Sequence, residues 1–169
     1  MANVITATLP EQIQNVQGTT AILQLNIPAS QGIGYLPNSD IAFYPFGLGT
    51  SPVSVVPSTE VWRLIDVVIY SSITPDIILG LVVNGQNQPF AVDLNTVVVS
   101  GSSSRVHPIN PYLDIPANST FNFTAYLTQA NGTSAQTINV SVIMQRIPLA
   151  VYLASQGATG VGASHVLSL

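Results

Sequence analysis

The side chains that could carry out catalysis or bind a metal are few and scattered. The 169-residue chain has two histidines, seven carboxylates and three arginines, and it contains neither cysteine nor lysine. His107 and His165 are too far apart in the sequence to form a local metal-binding motif. The nucleophile motif Gly-x-Ser-x-Gly is absent, and Gly47-Leu48-Gly49-Thr50 lacks the lysine of a phosphate-binding loop. We therefore expect a protein that is not an enzyme and that carries no cofactor or metal.

The charge content narrows the classes of partner. Only 6% of the residues are charged, whereas about 25% is typical of soluble proteins. Nucleic-acid affinity comes mostly from Lys and Arg neutralising phosphates, and the three separated cations Arg63, Arg105 and Arg146 cannot form a basic stripe on a chain of net charge -4. We expect no direct binding to nucleic acid. No apolar run approaches the roughly 18 residues of a membrane-spanning helix, and the first residues lack the features of a secretory signal peptide.

Strand signals recur along the chain, and no amphipathic helix is evident. Val, Ile, Thr and aromatic residues alternate with polar ones between Pro, Gly, Asn and Ser. Asn84-Gly85 is a hairpin signal. The expected strands cover residues 20–27, 41–44, 60–71, 76–84, 88–93, 96–100, 105–107, 120–128 and 137–147. This number of short strands predicts an all-β fold, an antiparallel β-sandwich or single jelly-roll barrel.

The chain divides into one domain and a terminal segment. We expect residues 1–154 to form the β-sandwich, with 120–128 and 137–147 as an antiparallel pair that buries one face. Residues 155–169 are rich in Gly, Ala and Ser and predict an extended C-terminal arm, although a frayed terminus is the alternative. The arm residues expected to make contacts are Val161, His165, Val166 and Leu167.

The segment 61–70 is apolar on both of its alternating faces. Because a two-layer sandwich buries only one face of each sheet, the second face must meet a loop, a third layer or another subunit. The predicted assembly interface consists of Trp62, Leu64, Val68, Tyr70, Ile78 and Val82. The alternative is that the proline- and glycine-rich residues 29–57 fold over this face. The lack of lysine, which natural sheets use to protect their edges, also favours contact with other subunits.

One segment of the chain is similar to a segment of a known family. Its sequence is Pro111-Tyr112-Leu113-Asp114-Ile115-Pro116-Ala117-Asn118-Ser119-Thr120-Phe121. This proline-bracketed loop before the last long strands resembles that of viral jelly rolls. Size, low charge and the missing basic arm make the chain similar to the upright single β-barrel coat proteins of tailless icosahedral viruses with an internal membrane. The closest in style is the smaller coat protein of Thermus phages.

The resemblance implies a capsid subunit located in the virion and assembled in the host cytoplasm. Its partners would be copies of itself and a larger coat protein, next to an internal lipid membrane that separates the shell from the genome.

Two other classes remain open. A carbohydrate-binding β-sandwich, such as a tail-fibre tip or a lectin, needs an exposed aromatic platform, for which Trp62, Tyr35, Tyr44 and Tyr112 are the candidates. A pilus or surface-layer subunit is the third possibility. The chain also contains four glycosylation sequons, and those of Asn118 and Asn131 lie in expected loops and are the better candidates for modification.

Overall fold

The computed structural model describes residues 18–45, 50–69, 76–94 and 105–159. Over these ranges the chain forms nine strands, a short 3-10 helix at Asn38–Asp40 and one α-helix, α1 (Leu149–Thr159). The strands are β1 (Thr19–Ile27), β2 (Gly34–Tyr35), β3 (Ile41–Tyr44), β4 (Glu60–Ile69), β5 (Ile77–Val83), β6 (Gln86–Asp93), β7 (Arg105–Ile115), β8 (Phe121–Leu127) and β9 (Gln136–Pro148). The expected strand at 96–100 lies outside the described residues.

Two antiparallel sheets make up the fold. One has the strand order β3-β1-β9-β4-β7 and the other β2-β8-β5-β6. Their inner faces enclose one apolar core, because alternate residues of strands such as β5 and β8 are buried and the others are not. The predicted all-β sandwich is confirmed.

An aromatic cluster fills part of this core. Phe43, Trp62, Phe121 and Phe123 have ring centroids 5.2–6.3 Å apart in five pairs, mostly in tilted or edge-to-face arrangements. Such geometries are favoured by the ring quadrupoles. The cluster joins the two sheets, since β3 and β4 belong to one sheet and β8 to the other.

The hairpin predicted at Asn84-Gly85 is present between β5 and β6. Both residues have positive φ, 50° and 78°, as a tight two-residue turn requires. The Asn84 side chain also accepts a hydrogen bond from the Thr120 amide (2.9 Å) and donates one to Ser119 Oγ (3.1 Å). The turn is thereby tied to the segment that precedes β8.

The predicted pairing of the last two long strands is wrong. β8 pairs with β2 and β5, whereas β9 pairs with β1 and β4 in the opposite sheet. Both strands do bury one face. Alternation identifies the face that a strand turns to the core, but two strands facing each other across a core show the same pattern as two neighbours in a sheet.

One extra residue interrupts β4. Leu64 lies opposite Met144 of β9, and Asp66 lies opposite Ile143, so Ile65 has no partner of its own in the ladder. This is a β-bulge. Before it the even-numbered residues of the strand face the core, and after it the odd-numbered residues do.

The bulge corrects the expected outer face of this strand. Trp62 and Leu64, before the bulge, are fully buried in the core, and so are Val67 and Ile69 after it. Trp62 and Leu64 are therefore not interface residues. The sequence looks apolar on both faces because the core-facing positions change parity at Ile65.

The sheet edges are short or contain proline. β2 has two residues and β3 four. The other two edge strands carry Pro89 in β6 and Pro108 and Pro111 in β7. Proline has no amide hydrogen to donate to a neighbouring strand. These features protect the edges without lysine.

The C-terminal region also differs from the expectation. Residues 155–159 belong to α1 and are not extended, so the expected arm boundary at 155 falls inside a helix. Its Leu, Ala and Gln residues favour a helix, and the Leu149 amide donates to the Thr59 carbonyl at its start (2.8 Å). The helix contacts β4 and β9, where the cross-strand pair Val61 and Ile147 is buried outside the main core.

Candidate functional site

The residues expected to form one assembly interface do not lie on one surface. Val68 is on the outer side of the five-stranded sheet and is only 8% exposed. Ile78 and Val82 are on the outer face of the four-stranded sheet. Tyr70 lies outside the described residues, as do the expected arm contacts Val161, His165, Val166 and Leu167.

An apolar patch remains on the outer face of the four-stranded sheet. We call Tyr35, Ile78 and Tyr126 the tyrosine patch. Tyr35 lies opposite Tyr126, and Tyr126 lies opposite Ile78, so three adjacent strands contribute one row. The two rings meet edge to face at 5.0 Å. Tyr35 is 68% exposed, and Ile78 is 37% exposed.

The rest of this face is small and polar. Gly80 lies opposite Thr124 and Ala91, and Val82 lies opposite Asn122 and Asn87. A Cβ at Gly80 would come within 2.5 Å of the Thr124 hydroxyl, so a larger residue here would displace that hydroxyl. The apolar area is thus confined to the end of the sheet that carries the tyrosine patch.

One member of the patch, Tyr126, was not predicted from the sequence. It occupies the same side of β8 as Asn122 and Thr124, opposite the buried Phe121 and Phe123. An aromatic residue among polar ones on the solvent side of a strand was therefore a signal available in the sequence.

The first of two half-buried ion pairs lies on the outer side of the five-stranded sheet. Arg63 Nε and Nη2 donate to the two carboxylate oxygens of Asp114 at 2.7 and 2.9 Å. Tyr152 of α1 donates to the same carboxylate at 3.0 Å, and the guanidinium lies 5.8 Å from the ring centroid of Tyr112. The hydrogen bond to Asp114 raises the pKa of Arg63, and burial raises that of Tyr152.

The second ion pair joins Arg146 and Glu60. Arg146 Nε and Nη2 donate to the two Glu60 oxygens at 2.8 and 2.7 Å, and Trp62 Nε1 donates to Glu60 Oε2 at 2.8 Å. The hydrogen bond from Arg146 lowers the pKa of Glu60, with a smaller contribution from Trp62. Both pairs are bidentate, the strongest geometry for arginine and a carboxylate. Two of the three arginines are therefore neutralised within the chain.

The candidate sugar-stacking aromatics differ in accessibility. Trp62 is fully buried and cannot serve as a platform. Tyr35 and Tyr112 are well exposed, whereas Tyr44 is half-buried. Tyr112 already contacts the Arg63 guanidinium. Of the expected candidates, Tyr35 alone combines high exposure with a neighbouring ring.

The two expected glycosylation candidates differ in accessibility. Asn118 is exposed, with φ 60°. Asn131 is only 6% exposed, and its amide nitrogen donates to the carbonyls of Pro28 and Ser134 at 2.7 and 3.0 Å. The expectation that Asn131 is a good glycosylation candidate is therefore wrong, because its side chain is buried and hydrogen-bonded.

No group of three His, Cys, Asp or Glu side chains that could hold a metal ion occurs in ranges 18–45, 50–69, 76–94 and 105–159. Within those same ranges, no helix has both the length and the apolar character needed to cross a membrane. His107 lies in β7 opposite Val67, and His165 is outside the described residues.

No protein-family model matches the chain, and no curated protein matches it significantly.

Proposed function

We propose that this chain is a structural virion protein, a capsid subunit with a single jelly-roll fold. The observation that carries the proposal is the strand order. When the short edge strand β3 is left out, eight strands remain. Counted along the chain, the first lies beside the eighth, the second beside the seventh, the third beside the sixth and the fourth beside the fifth. This is the order of a long hairpin rolled into two sheets, as in jelly rolls, a fold common among viral capsid proteins.

The charge distribution supports a shell protein that does not touch the genome. Arg63 and Arg146 are both held by carboxylates, and the chain has only one other cation, Arg105. A cation can neutralise a phosphate only if it is not already paired with a carboxylate of its own chain. We therefore propose contacts with protein, and none with nucleic acid.

The tyrosine patch is the proposed contact surface between copies. Tyrosines at the centre of an interface are among the residues that contribute most of its binding energy. Among the six residues expected from the sequence, Ile78 stays in this proposal. Trp62 and Leu64 leave it because they are buried in the core, and Val82 leaves it because it lies beyond the tyrosine patch. From the resemblance, we also propose a larger coat protein as a second partner and a position next to an internal membrane.

A matched pair of substitutions tests the contact surface. Ile78 and Ile22 are both 37% exposed, on the outer faces of opposite sheets. We expect the purified wild-type chain to form oligomers, and Ile78→Asp to shift it towards the monomer because a carboxylate would be buried at the contact. Ile22→Asp should assemble like the wild type. Multi-angle light scattering over a range of protein concentrations measures the change.

Two results would contradict the proposal. One is a wild-type chain that stays monomeric at high concentration. The other is an equal effect of the two substitutions, which would indicate a general solubility effect of the added charge. Circular dichroism and thermal unfolding of both variants confirm that the fold is retained.

A further inference from the structure

The two rings of the tyrosine patch are neighbours at the edge of the four-stranded sheet. The Leu36 amide donates to the Ala125 carbonyl at 2.9 Å, so these two residues form a hydrogen-bonded pair next to the β2–β8 ladder. Tyr35 and Tyr126 are one position away and form the next pair, in which the two residues exchange no backbone hydrogen bonds. Side chains lie closest together in pairs of this kind. The register of β2 on β8 therefore holds the two rings together.

The two rings are close enough to be joined by a covalent bond. Their centroids are 5.0 Å apart at an interplanar angle of 73°, a separation only slightly greater than that of two directly bonded rings. Tyr35 belongs to an edge strand and is 68% exposed, so its ring can make the small rotation that such a bond requires. A steep angle between the rings is compatible with the bond, because two joined phenyl rings can twist about it.

Other oxidisable side chains compete little with this pair. The chain has no cysteine, and Trp62 and Met144 are fully buried. Tyr112 is well exposed, but it contacts the Arg63 guanidinium. Among the residues that the structure describes, Tyr35 and Tyr126 are the only two tyrosines whose rings are in contact. A radical formed on the exposed ring therefore has a second phenol beside it.

We propose that Tyr35 and Tyr126 form an oxidative modification site, at which a one-electron oxidant joins the two rings as dityrosine. Each phenol loses one electron and its hydroxyl proton, and the two tyrosyl radicals couple through the ring carbons next to the hydroxyls. The hydrogen on each coupled carbon then moves to the phenol oxygen, which restores both aromatic rings. With hydrogen peroxide and a peroxidase as the oxidant, the peroxide takes up the two electrons and two protons and leaves as two waters.

The bond fastens a short edge strand to the interior of its sheet. β2 has only two residues, and β8 lies between it and β5. Positions 35 and 126 are far apart in the sequence, and a cross-link that closes a long loop restricts the unfolded chain most. The modified protein is therefore more stable than the unmodified one. The bond forms within one chain, so the inference holds whether or not the chain builds a shell.

Photochemical oxidation with a ruthenium tris-bipyridyl complex and persulfate tests the site, because this small one-electron oxidant reaches free and assembled chains. A mixture of isotope-labelled and unlabelled full chains is oxidised and then cleaved after arginine. Cleavage separates residues 1–63 from residues 106–146. We expect these two peptides to be joined with the loss of two hydrogen atoms, and tandem mass spectrometry locates the bond. Both peptides of a pair should carry the same isotope, since the bond lies within one chain.

Tyrosine-to-phenylalanine substitutions identify the reacting rings and keep the packing. Tyr35→Phe and Tyr126→Phe should each abolish the linked pair. The matched controls Tyr44→Phe and Tyr112→Phe remove tyrosines from the same two peptides and should keep it. Thermal unfolding, followed by circular dichroism, measures the stabilisation. Oxidation should raise the melting temperature of the wild type by about 5 °C or more relative to its effect on Tyr126→Phe.

Four results would overturn the assignment. The first is a wild-type chain in which residues 1–63 and 106–146 are not joined after oxidation. The second is a linked pair that survives in Tyr35→Phe or Tyr126→Phe. The third is a majority of linked pairs with mixed isotopes, which would place the bond between chains. The fourth is a linked wild type whose melting temperature changes no differently from that of oxidised Tyr126→Phe.

Discussion

At the scale of single residues, Asn131 belongs to a glycosylation sequon, but its side chain forms hydrogen bonds within the fold. Its amide nitrogen bonds to two carbonyls, and its carbonyl oxygen accepts from Gln136 Nε2 at 2.7 Å. Its backbone amide also donates to the Gln31 carbonyl at 2.8 Å. One residue thus joins the loop after β1 to the loop between β8 and β9. The sequon at this position is explained by a structural role.

Asn131→Ala should destabilise the protein. It leaves the carbonyls of Pro28 and Ser134 and the amide of Gln136 without their partner, and losing these part-buried hydrogen bonds should cost about 1–3 kcal/mol. Urea unfolding measures the loss. Asn87→Ala, at an exposed asparagine on β6, should change the free energy of unfolding by less than about 0.5 kcal/mol. A similar loss in both variants would contradict the structural role.

At the scale of elements, the bulge in β4 determines which residues form the core. If Ile65 were paired in a regular ladder, the strand could bury Trp62 and Leu64 or Val67 and Ile69, but not all four. The bulge lets one ten-residue strand place both pairs inside. It sits where β4 passes between β9 and β7, and the pairing with β7 also shifts at this point.

Deleting Ile65 should therefore be far less damaging than deleting Val68. Without Ile65, the residues Trp62, Leu64, Val67 and Ile69 fall on alternate positions of a regular strand, and all four still face the core. Deleting Val68 instead keeps the bulge and turns Ile69 out of the core, which should cost about 1.5–3 kcal/mol. Urea unfolding and one-dimensional NMR compare the two variants. If both deletion variants unfold at the same urea concentration, the bulge does not control the packing.

Alternation in the sequence predicted where strands lie but not which strands are neighbours. The strands at 41–44 and near 77–83 and 121–127 were located closely, because their buried and exposed residues alternate without interruption. A single inserted residue such as Ile65 leaves no mark in composition. The helix that begins at Leu149 was missed because Leu, Ala, Val and Tyr occur in both helices and strands.

At the scale of the whole molecule, stability depends on very few charges. Seven carboxylates and three arginines are present in 169 residues, and two bidentate ion pairs use two of the arginines. Most of the fold is held by apolar packing, which does not titrate. The free energy of unfolding should therefore change little with pH near neutrality.

Glu60 should produce a decrease in stability at acid pH. Its folded-state pKa lies below the usual 4.5, so its contribution is fully present above that pH and is lost as the pH falls through the lower folded value. We expect the free energy of unfolding of Glu60→Gln to fall less steeply with decreasing pH than that of the wild type, which gives a flatter acid limb. Asp40→Asn is the control, since Asp40 forms no ion pair with a described residue. Urea unfolding between pH 7 and pH 3 measures both, and identical acid limbs in wild type and Glu60→Gln would rule out this role.

The proline-containing and shortened edge strands restrict how copies of this chain can join. With Pro89, Pro108 and Pro111 in β6 and β7, backbone ladders from one copy to the next are disfavoured on both long edges. Neighbouring copies would then touch only through side chains on their broad faces. A lattice held in this way can tolerate small changes of tilt between members, since no continuous hydrogen-bonded ribbon has to break when its curvature changes.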